Sequence, residues 1–193
     1  MTIAVAVRKG GRIAIAADTQ NNFGENRVPP DNGPCRKLRR VGDAVVATTG
    51  WGLYGNILDD FVERQKRLRL DDERAIFAFF QAFWRELRDR YSYVNDQCRK
   101  DDESPFADLD ASFLIVNPGG IYYVSSDTSV TPFARYHAVG SGTDYALGAL
   151  HALCDDPALD AEALARRACD AAIAFNLYCG GPVDVELIDQ AAG

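Results

Sequence analysis

The first hydrophobic residues of the chain fall into two short runs that are rich in β-branched side chains. These runs, residues 3–7 and 12–17, flank the tripeptide Lys9-Gly10-Gly11. Because glycine readily adopts the positive φ angles of a tight hairpin turn, the pattern predicts two antiparallel strands at the start of the fold.

Further strand-like runs follow along the chain. In order, they are residues 37–41, 44–49, 111–117, 121–125, 136–139 and 183–188. The first pair flanks Gly42-Asp43 and the second pair flanks Pro118-Gly119-Gly120, so each pair is predicted to form a hairpin. Residues 136–139 are interpreted as a strand of a fourth hairpin, and the alternating run at 183–188 is predicted as the last strand.

Apolar residues recur at helical spacing in four other segments. These are residues 53–62, 75–87, 144–154 and 161–178, and Asp71-Asp72 separates the first two. The second carries a stripe of aromatic residues that is typical of a core or a subunit interface. Strand pairs that alternate with helix pairs indicate an α+β layered fold with antiparallel sheets, since hairpins rather than helical crossovers join the strands.

Two polar segments interrupt this pattern. Residues 19–35 are rich in Asn, Pro and Gly and are predicted to form a long surface loop, whose length indicates a functional or interface role. Residues 95–104 are charged and are also predicted to be a loop.

Composition narrows the classes of protein that the chain can belong to. At 193 residues and 47% hydrophobic content, residues 1–193 are expected to form a single domain with a substantial core. A net charge of −7 argues against nucleic acid as a partner. The apolar runs are far shorter than the roughly 20 residues of a membrane-spanning helix, and the start lacks a signal-type leader, so we expect a cytoplasmic protein.

Cysteine and histidine residues give no sign of a metal or cofactor site. The five cysteines are scattered and contain no Cys-x-x-Cys pair, which argues against both a disulfide framework and a zinc site. His137 and His151 lack the spacing of a ligand pair. We therefore expect neither a metal nor an organic cofactor.

The residue behind the initiator methionine is a candidate nucleophile. Thr2 is small enough for cytosolic processing to remove Met1, which would leave an amino-terminal threonine. The α-amino group of such a residue has a reference pKa of about 7.7 to 8.0 and can act as the base for its own hydroxyl. Most proteins that begin Met-Thr are not hydrolases, so this signal needs support from elsewhere in the chain.

Two charged residues provide that support. Asp18 ends the strand that pairs with the one following Thr2, and Lys37 opens the third strand. A lysine ammonium near an α-amino group disfavours the protonated form of that amine. The alternatives are that Asp18 bonds its own backbone and that Lys37 is a solvated member of the basic run 36–40.

Several segments together resemble the β-type subunits of the proteasome and their bacterial relatives, which are amino-terminal-threonine hydrolases. The matching segments are residues 1–11 with 13–18, residues 35–41, and the stretch 138–149 that contains Gly140-Ser141-Gly142. The chain is most similar to the bacterial branch first recognised in betaproteobacteria, with the peptidase subunit of the ATP-dependent two-component bacterial protease next. The resemblance covers nearly the whole chain.

The resemblance implies a fold and an assembly. The fold is a four-layer αββα sandwich, in which two antiparallel sheets are flanked by helices. The assembly is a homo-oligomer of stacked rings, of six or seven subunits, whose active sites face an inner chamber. Peptides or unfolded proteins would be the substrates, and the sequence leaves open whether an ATP-dependent unfoldase is a partner.

The resemblance also implies roles for individual residues. Thr2 is the nucleophile, Lys37 tunes its amine, and Asp18 orients Lys37. Ser141 steadies the amine; the alternative is that it only caps the helix that follows, and the two roles can coexist. The backbone N–H of Gly50, or that of the neighbouring Gly52, stabilises the oxyanion.

The chain departs from the family after its last long helix. Asn176 and Cys179 stand where relatives often carry an aspartate and a serine that support the threonine. The leading hypothesis is a threonine endopeptidase. The alternatives are a catalytically weak or silent ring or scaffold protein, which Asn176 and Cys179 favour, and a hydrolase of the same type that acts on a small amide.

Overall fold

The computed structural model describes residues 2–28, 31–33, 35–65, 68–91, 94 and 108–191. Its strands are β1 (Ile3–Lys9), β2 (Arg12–Asp18), β3 (Asn21–Phe23), β4 (Asn26–Val28), β5 (Leu38–Val41), β6 (Ala44–Thr48), β7 (Phe113–Asn117), β8 (Gly120–Val124), β9 (Val130–Phe133), β10 (Tyr136–Gly140) and β11 (Val183–Asp189). Its helices are α1 (Gly52–Arg64), α2 (Glu73–Arg90), α3 (Thr143–Leu153) and α4 (Ala161–Phe175). The loop predicted at 95–104 lies outside the described residues.

The strands form two main sheets and one short ribbon. The first sheet has the order β10-β1-β2-β11 and the second has the order β5-β6-β7-β8-β9, while β3 and β4 pair only with each other. Every pair is antiparallel. The prediction of an α+β fold with antiparallel sheets is therefore confirmed.

The hydrophobic core consists of three clusters, one between the two sheets and one between each sheet and its pair of helices. Between the two sheets lie apolar residues of both inner faces, including Ala4, Ile15, Val45, Leu114 and Val116. The outer face of the first sheet packs on α3 and α4, and the outer face of the second sheet packs on α1 and α2. Successive strand residues point to opposite faces, so each strand serves both the inter-sheet layer and a helix layer. This is the four-layer αββα sandwich that the resemblance implied.

The aromatic stripe of α2 is part of the core. Phe80 and Phe83 contact Phe113 of β7, with ring centroids 4.6 and 6.0 Å apart. Such tilted and edge-on contacts are favourable arrangements of aromatic rings and add to the burial of their area. The helix begins after Asp72, whose carboxylate accepts a hydrogen bond from Ala75 N at 2.7 Å.

Three strands, β3, β4 and β9, were missed because their sequences are poor in apolar residues. The segment predicted as a loop at 19–35 contains the ribbon of β3 and β4, whose three-residue strands are polar and turn at Gly24 with a φ of 61°. The strand β9 contains Pro132, which cannot donate to a ladder and is tolerated here because β9 is an edge strand.

Two other predictions were wrong in detail. The strand at 136–139 was assigned to a fourth hairpin, but β10 leaves the sheet that holds β9 and pairs with β1, placing Ile3 opposite Gly140. The last helix ends at Phe175 rather than at residue 178, because Asn176 adopts an extended conformation. The helices of the described part are each too short or too polar to cross a membrane.

Candidate active site

Thr2 and Asp18 lie side by side at one end of the first sheet. Thr2 immediately precedes β1 and Asp18 ends β2, and the register of the two strands pairs Ala4 with Ala17. The backbone N–H of Ile3 donates to Asp18 Oδ1 at 2.9 Å. Thr2 is only 4% exposed. The hairpin thus brings the candidate nucleophile to within one peptide unit of a buried carboxylate.

A lysine that immediately precedes the second sheet completes a buried ion pair with this carboxylate. Lys37, just before β5, donates to Asp18 Oδ1 at 2.6 Å, and the two side chains are 5% and 0% exposed. Asp18 Oδ2 accepts a third hydrogen bond from Gly180 N at 3.0 Å. A buried pair persists only when its remaining polar atoms are also satisfied, and these donors meet that condition for the carboxylate. Lys37 is therefore not a solvated member of the basic run.

Ser141 approaches Thr2 through the backbone. Ser141 N donates to Thr2 O at 2.8 Å and Ser141 Oγ lies 3.3 Å from the same oxygen. The close approach depends on Gly140, which has a φ of 109° and where any Cβ would overlap Thr2 O. The N-cap of α3 is Gly142 rather than Ser141, so the serine does not serve as the helix cap.

Asn176 and Cys179 both contact Ser141. Asn176 Nδ2 donates to Ser141 O at 2.6 Å, and its Oδ1 accepts from Tyr178 N at 2.9 Å. A carboxylate could fill the second role but not the first, because it has no proton to donate. Cys179 Sγ lies 3.6 Å from Ser141 Oγ, and burial raises the pKa of this thiol, which keeps it neutral. The two substituted residues therefore reach the site through Ser141.

Gly50 follows β6 and precedes α1 in a conformation that requires glycine. Its φ is 89°, and any Cβ there would overlap Asp110 O. The preceding Thr49 is held by a hydrogen bond from its Oγ1 to Ser112 O at 3.0 Å. Gly52, by contrast, opens α1 with open space around it. Of the two alternative oxyanion donors, Gly50 therefore requires glycine for its backbone conformation, whereas Gly52 does not have a positive φ.

Sequence reasoning missed Gln20, which is 1% exposed and packs against Gly180, the residue whose N–H donates to Asp18. It lies in the segment predicted as a surface loop, where a glutamine carries no signal of burial. No cluster of three or more His, Cys, Asp or Glu residues that could hold a metal occurs among the described residues. His137 instead stacks on Phe133 with ring centroids 3.9 Å apart, and burial lowers its pKa.

Comparisons with known proteins extend over nearly the whole chain. No protein-family model matches it. The chain is 30% identical over 188 residues to the ATP-dependent protease subunit HslV of Paramagnetospirillum magneticum, which covers 96% of this chain and 93% of that protein. It is 34% identical to Thiobacillus denitrificans BPH in complex with epoxomicin, with a TM-score of 0.89 over 98% of this chain and 100% of BPH. The HslV of Trypanosoma brucei, at 21% identity and a TM-score of 0.67, shares the fold.

Proposed function

This chain belongs to the family of amino-terminal-nucleophile hydrolases that includes HslV and the proteasome β subunits, and we propose that it is a threonine peptidase with Thr2 as its nucleophile. Met1 lies outside the described residues, and the proposal requires its removal so that Thr2 carries a free amine. The observation that carries the proposal is the placement of the Lys37 ammonium. It binds the same Asp18 oxygen as the backbone N–H of Ile3, the residue next to Thr2.

In the proposed mechanism, the Thr2 amine takes the proton of the Thr2 hydroxyl, directly or through one water. The hydroxyl oxygen then attacks the carbonyl carbon of the scissile peptide bond, and the protonated amine returns the proton to the leaving nitrogen. Water subsequently hydrolyses the ester on Thr2. The positive charge of Lys37 favours the neutral amine that the first step needs, and Asp18 fixes Lys37.

Backbone donors complete the proposed site. The N–H of Gly50 would stabilise the oxyanion that forms during attack, an interaction whose loss costs about 3 to 4 kcal/mol in transition-state stabilisation. Ser141 would hold the Thr2 backbone by its two contacts to Thr2 O, so that the amine keeps its direction. Apart from the substrate and water, every group in this mechanism belongs to the chain itself.

We also propose that the chain works in the cytoplasm as a homo-oligomer of stacked rings that encloses the active sites. Exposed large apolar residues support contacts with other subunits where they form a contiguous patch, as Tyr145 and Phe175 do with ring centroids 5.5 Å apart. Further exposed large apolar residues include Phe23, Trp51 and Leu177. The name of the relative from P. magneticum supports an ATP-dependent partner that delivers unfolded protein. Negative-stain images that show only monomers would contradict this part of the proposal.

One experiment tests the catalytic proposal at two points. Intact-mass spectrometry should show native protein without Met1, and a further mass increase by one inhibitor after treatment with epoxomicin. Thr2→Ala should form no adduct and should not turn over a fluorogenic peptide. Thr131→Ala, at an exposed position of the edge strand β9, is the matched control and should retain full activity. Equal turnover in wild type and Thr2→Ala would refute the assignment.

A second candidate is a ring protein that keeps the fold without the catalysis. Asn176 and Cys179 favour it, since a neutral amide and a neutral thiol replace the family's more polar pair. Retained Met1 in fully assembled protein, together with no inhibitor adduct, would support this candidate. If turnover is seen with small amides but not with peptides, the substrate class changes while the role of Thr2 stays the same.

A further inference from the structure

Residues 177–182 contain Gly180, whose N–H donates to Asp18. Side chains from residues 19–35, which were predicted as a surface loop, hold these residues in place. Four side chains of residues 19–27 donate to backbone oxygens of residues 177–182. The contacts are Thr19 Oγ1 to Pro182 O at 2.8 Å, Gln20 Nε2 to Leu177 O at 3.1 Å, Asn22 Nδ2 to Tyr178 O at 3.4 Å, and Arg27 Nη2 to Cys179 O at 3.5 Å. Each contact comes from a side chain and ends on the main chain. The conformation of residues 177–182 therefore depends on the side chains of the β3–β4 ribbon and of the two residues before it.

Gln20 is the most deeply buried of these four donors, at 1% exposure against 7% for Thr19. Its Nε2 donates both to Leu177 O and to Asn22 Oδ1, the latter at 2.7 Å, so two acceptors fix the orientation of the amide. Its Oε1 is buried and accepts no hydrogen bond from the described residues. That oxygen lies so close to Gly180 that a Cβ at residue 180 would overlap it. A buried acceptor without a donor is unfavourable, so packing and the two bonds of Nε2 must hold it there.

Gly180 links this contact to the ion pair. Its N–H donates to Asp18 Oδ2 at 3.0 Å, while Asp18 Oδ1 binds the Lys37 ammonium at 2.6 Å. Gln20 thus sits against the residue that orients the carboxylate, and the carboxylate orients the lysine. The side chain of Gln20 contacts neither Lys37 nor Thr2 in any hydrogen bond found among the described residues.

We propose that Gln20 is a positioning residue of the active site. It locks residues 177–182 in the conformation that keeps Gly180 N–H on Asp18, and through Asp18 it fixes the Lys37 ammonium. The expected effect of Gln20 on kcat rests on the proposed function, whereas its effect on the conformation of residues 177–182 does not. Gln20 acts on the reaction only through these intermediaries and does not touch the substrate.

The test compares Gln20→Met and Gln20→Ala with Gln81→Met. Methionine nearly preserves the volume of glutamine but cannot donate to Leu177 O, and alanine removes the side chain altogether. Gln81 is the matched control, because its Nε2 also donates a hydrogen bond, to Thr128 Oγ1 at 3.1 Å, but from α2, which packs on the second sheet. Peptidase kinetics and hydrogen-exchange mass spectrometry of residues 176–182 are measured on assembled protein at one concentration.

Both Gln20 variants are expected to lower kcat about tenfold to a hundredfold with KM within about twofold, as a displaced catalytic group does. Amide exchange in residues 176–182 should become faster, while exchange in β7 and β8 stays unchanged. Gln81→Met should match wild type in both measurements. The split between kcat and KM separates positioning from substrate binding.

Other outcomes would overturn the proposal. Wild-type kcat and wild-type exchange in Gln20→Met would mean that bulk alone suffices at this position. A raised KM with unchanged kcat would make Gln20 a substrate-binding residue instead. If wild type shows no turnover at all, the proposed function fails, and exchange still decides this proposal: unchanged protection of residues 176–182 in both variants contradicts it, and faster exchange supports it.

Discussion

The substitution Asp18→Asn removes one charge from the buried ion pair while almost preserving the shape of the side chain. Asp18 and Lys37 are 0% and 5% exposed, so water cannot replace the missing charge. The amide also cannot copy the hydrogen bonds of the carboxylate. Both carboxylate oxygens accept, one from Lys37 and Ile3 and the other from Gly180, but an asparagine has only one acceptor atom.

The expected loss of stability follows from these contacts. Removing one partner of a buried ion pair costs about 3 to 5 kcal/mol, because the other charge stays buried without compensation. The N–H of Gly180 or of Ile3 would then face an NH₂ group instead of an acceptor. An unsatisfied buried donor costs about 1 to 3 kcal/mol, and this cost is part of the loss given above rather than an addition to it. Since a domain is stable by about 5 to 15 kcal/mol, Asp18→Asn should remove a large part of the total.

Equilibrium urea unfolding, followed by circular dichroism, measures this loss. With a slope of about 1 to 3 kcal/mol per molar urea, the midpoint should fall by more than about 1 M. All variants are compared at one protein concentration, because subunit assembly contributes to apparent stability. Asp189→Asn is the matched control: Asp189 pairs with Arg12 at 3.2 Å but is 87% exposed, so its midpoint should hardly move.

A double variant separates charge from packing. Asp18→Asn combined with Lys37→Met removes both charges, and the midpoint should recover part of the loss seen for Asp18→Asn alone. A midpoint within about 0.3 M of wild type for Asp18→Asn would refute the reasoning, since no uncompensated charge would then be buried. No recovery in the double variant would show that the backbone donors, rather than the charge of Lys37, dominate.

Three further outcomes can be checked directly. Gly140→Ala should destabilise the protein by about 1 to 3 kcal/mol and abolish inhibitor labelling, because its φ of 109° and its contact with Thr2 O exclude a Cβ; unchanged labelling would contradict the described approach of β10. A thiol reagent should modify Cys35 before Cys169 in native protein at pH 7, since burial raises the pKa of the Cys169 thiol, and site mapping by mass spectrometry shows the order. Turnover should be the same with and without EDTA, because the proposed mechanism uses only groups of the chain; a loss that zinc or magnesium restores would argue against it.

Local signals in the sequence were sufficient for most of the elements. Apolar runs around Gly-containing turns predicted the hairpins, because strands that are buried on both faces are apolar at nearly every position. Helical spacing predicted the four helices, because one face of each helix packs on a core. The position of Asp18 at the end of a strand placed it near Thr2, since a hairpin brings the end of its second strand back to the start of its first. These inferences needed only neighbours in the chain.

Contacts between distant segments depended on the tertiary structure. The pairing of β10 with β1 and the ion pair from Lys37 to Asp18 join different parts of the chain, and no periodicity encodes which strand or charge meets which. The burial of Gln20 was equally hidden, because its polar segment looks like a surface loop until residues 177–182 cover it. Local pattern reports which face of an element is buried, whereas the identity of what covers that face is decided only when all the layers pack together.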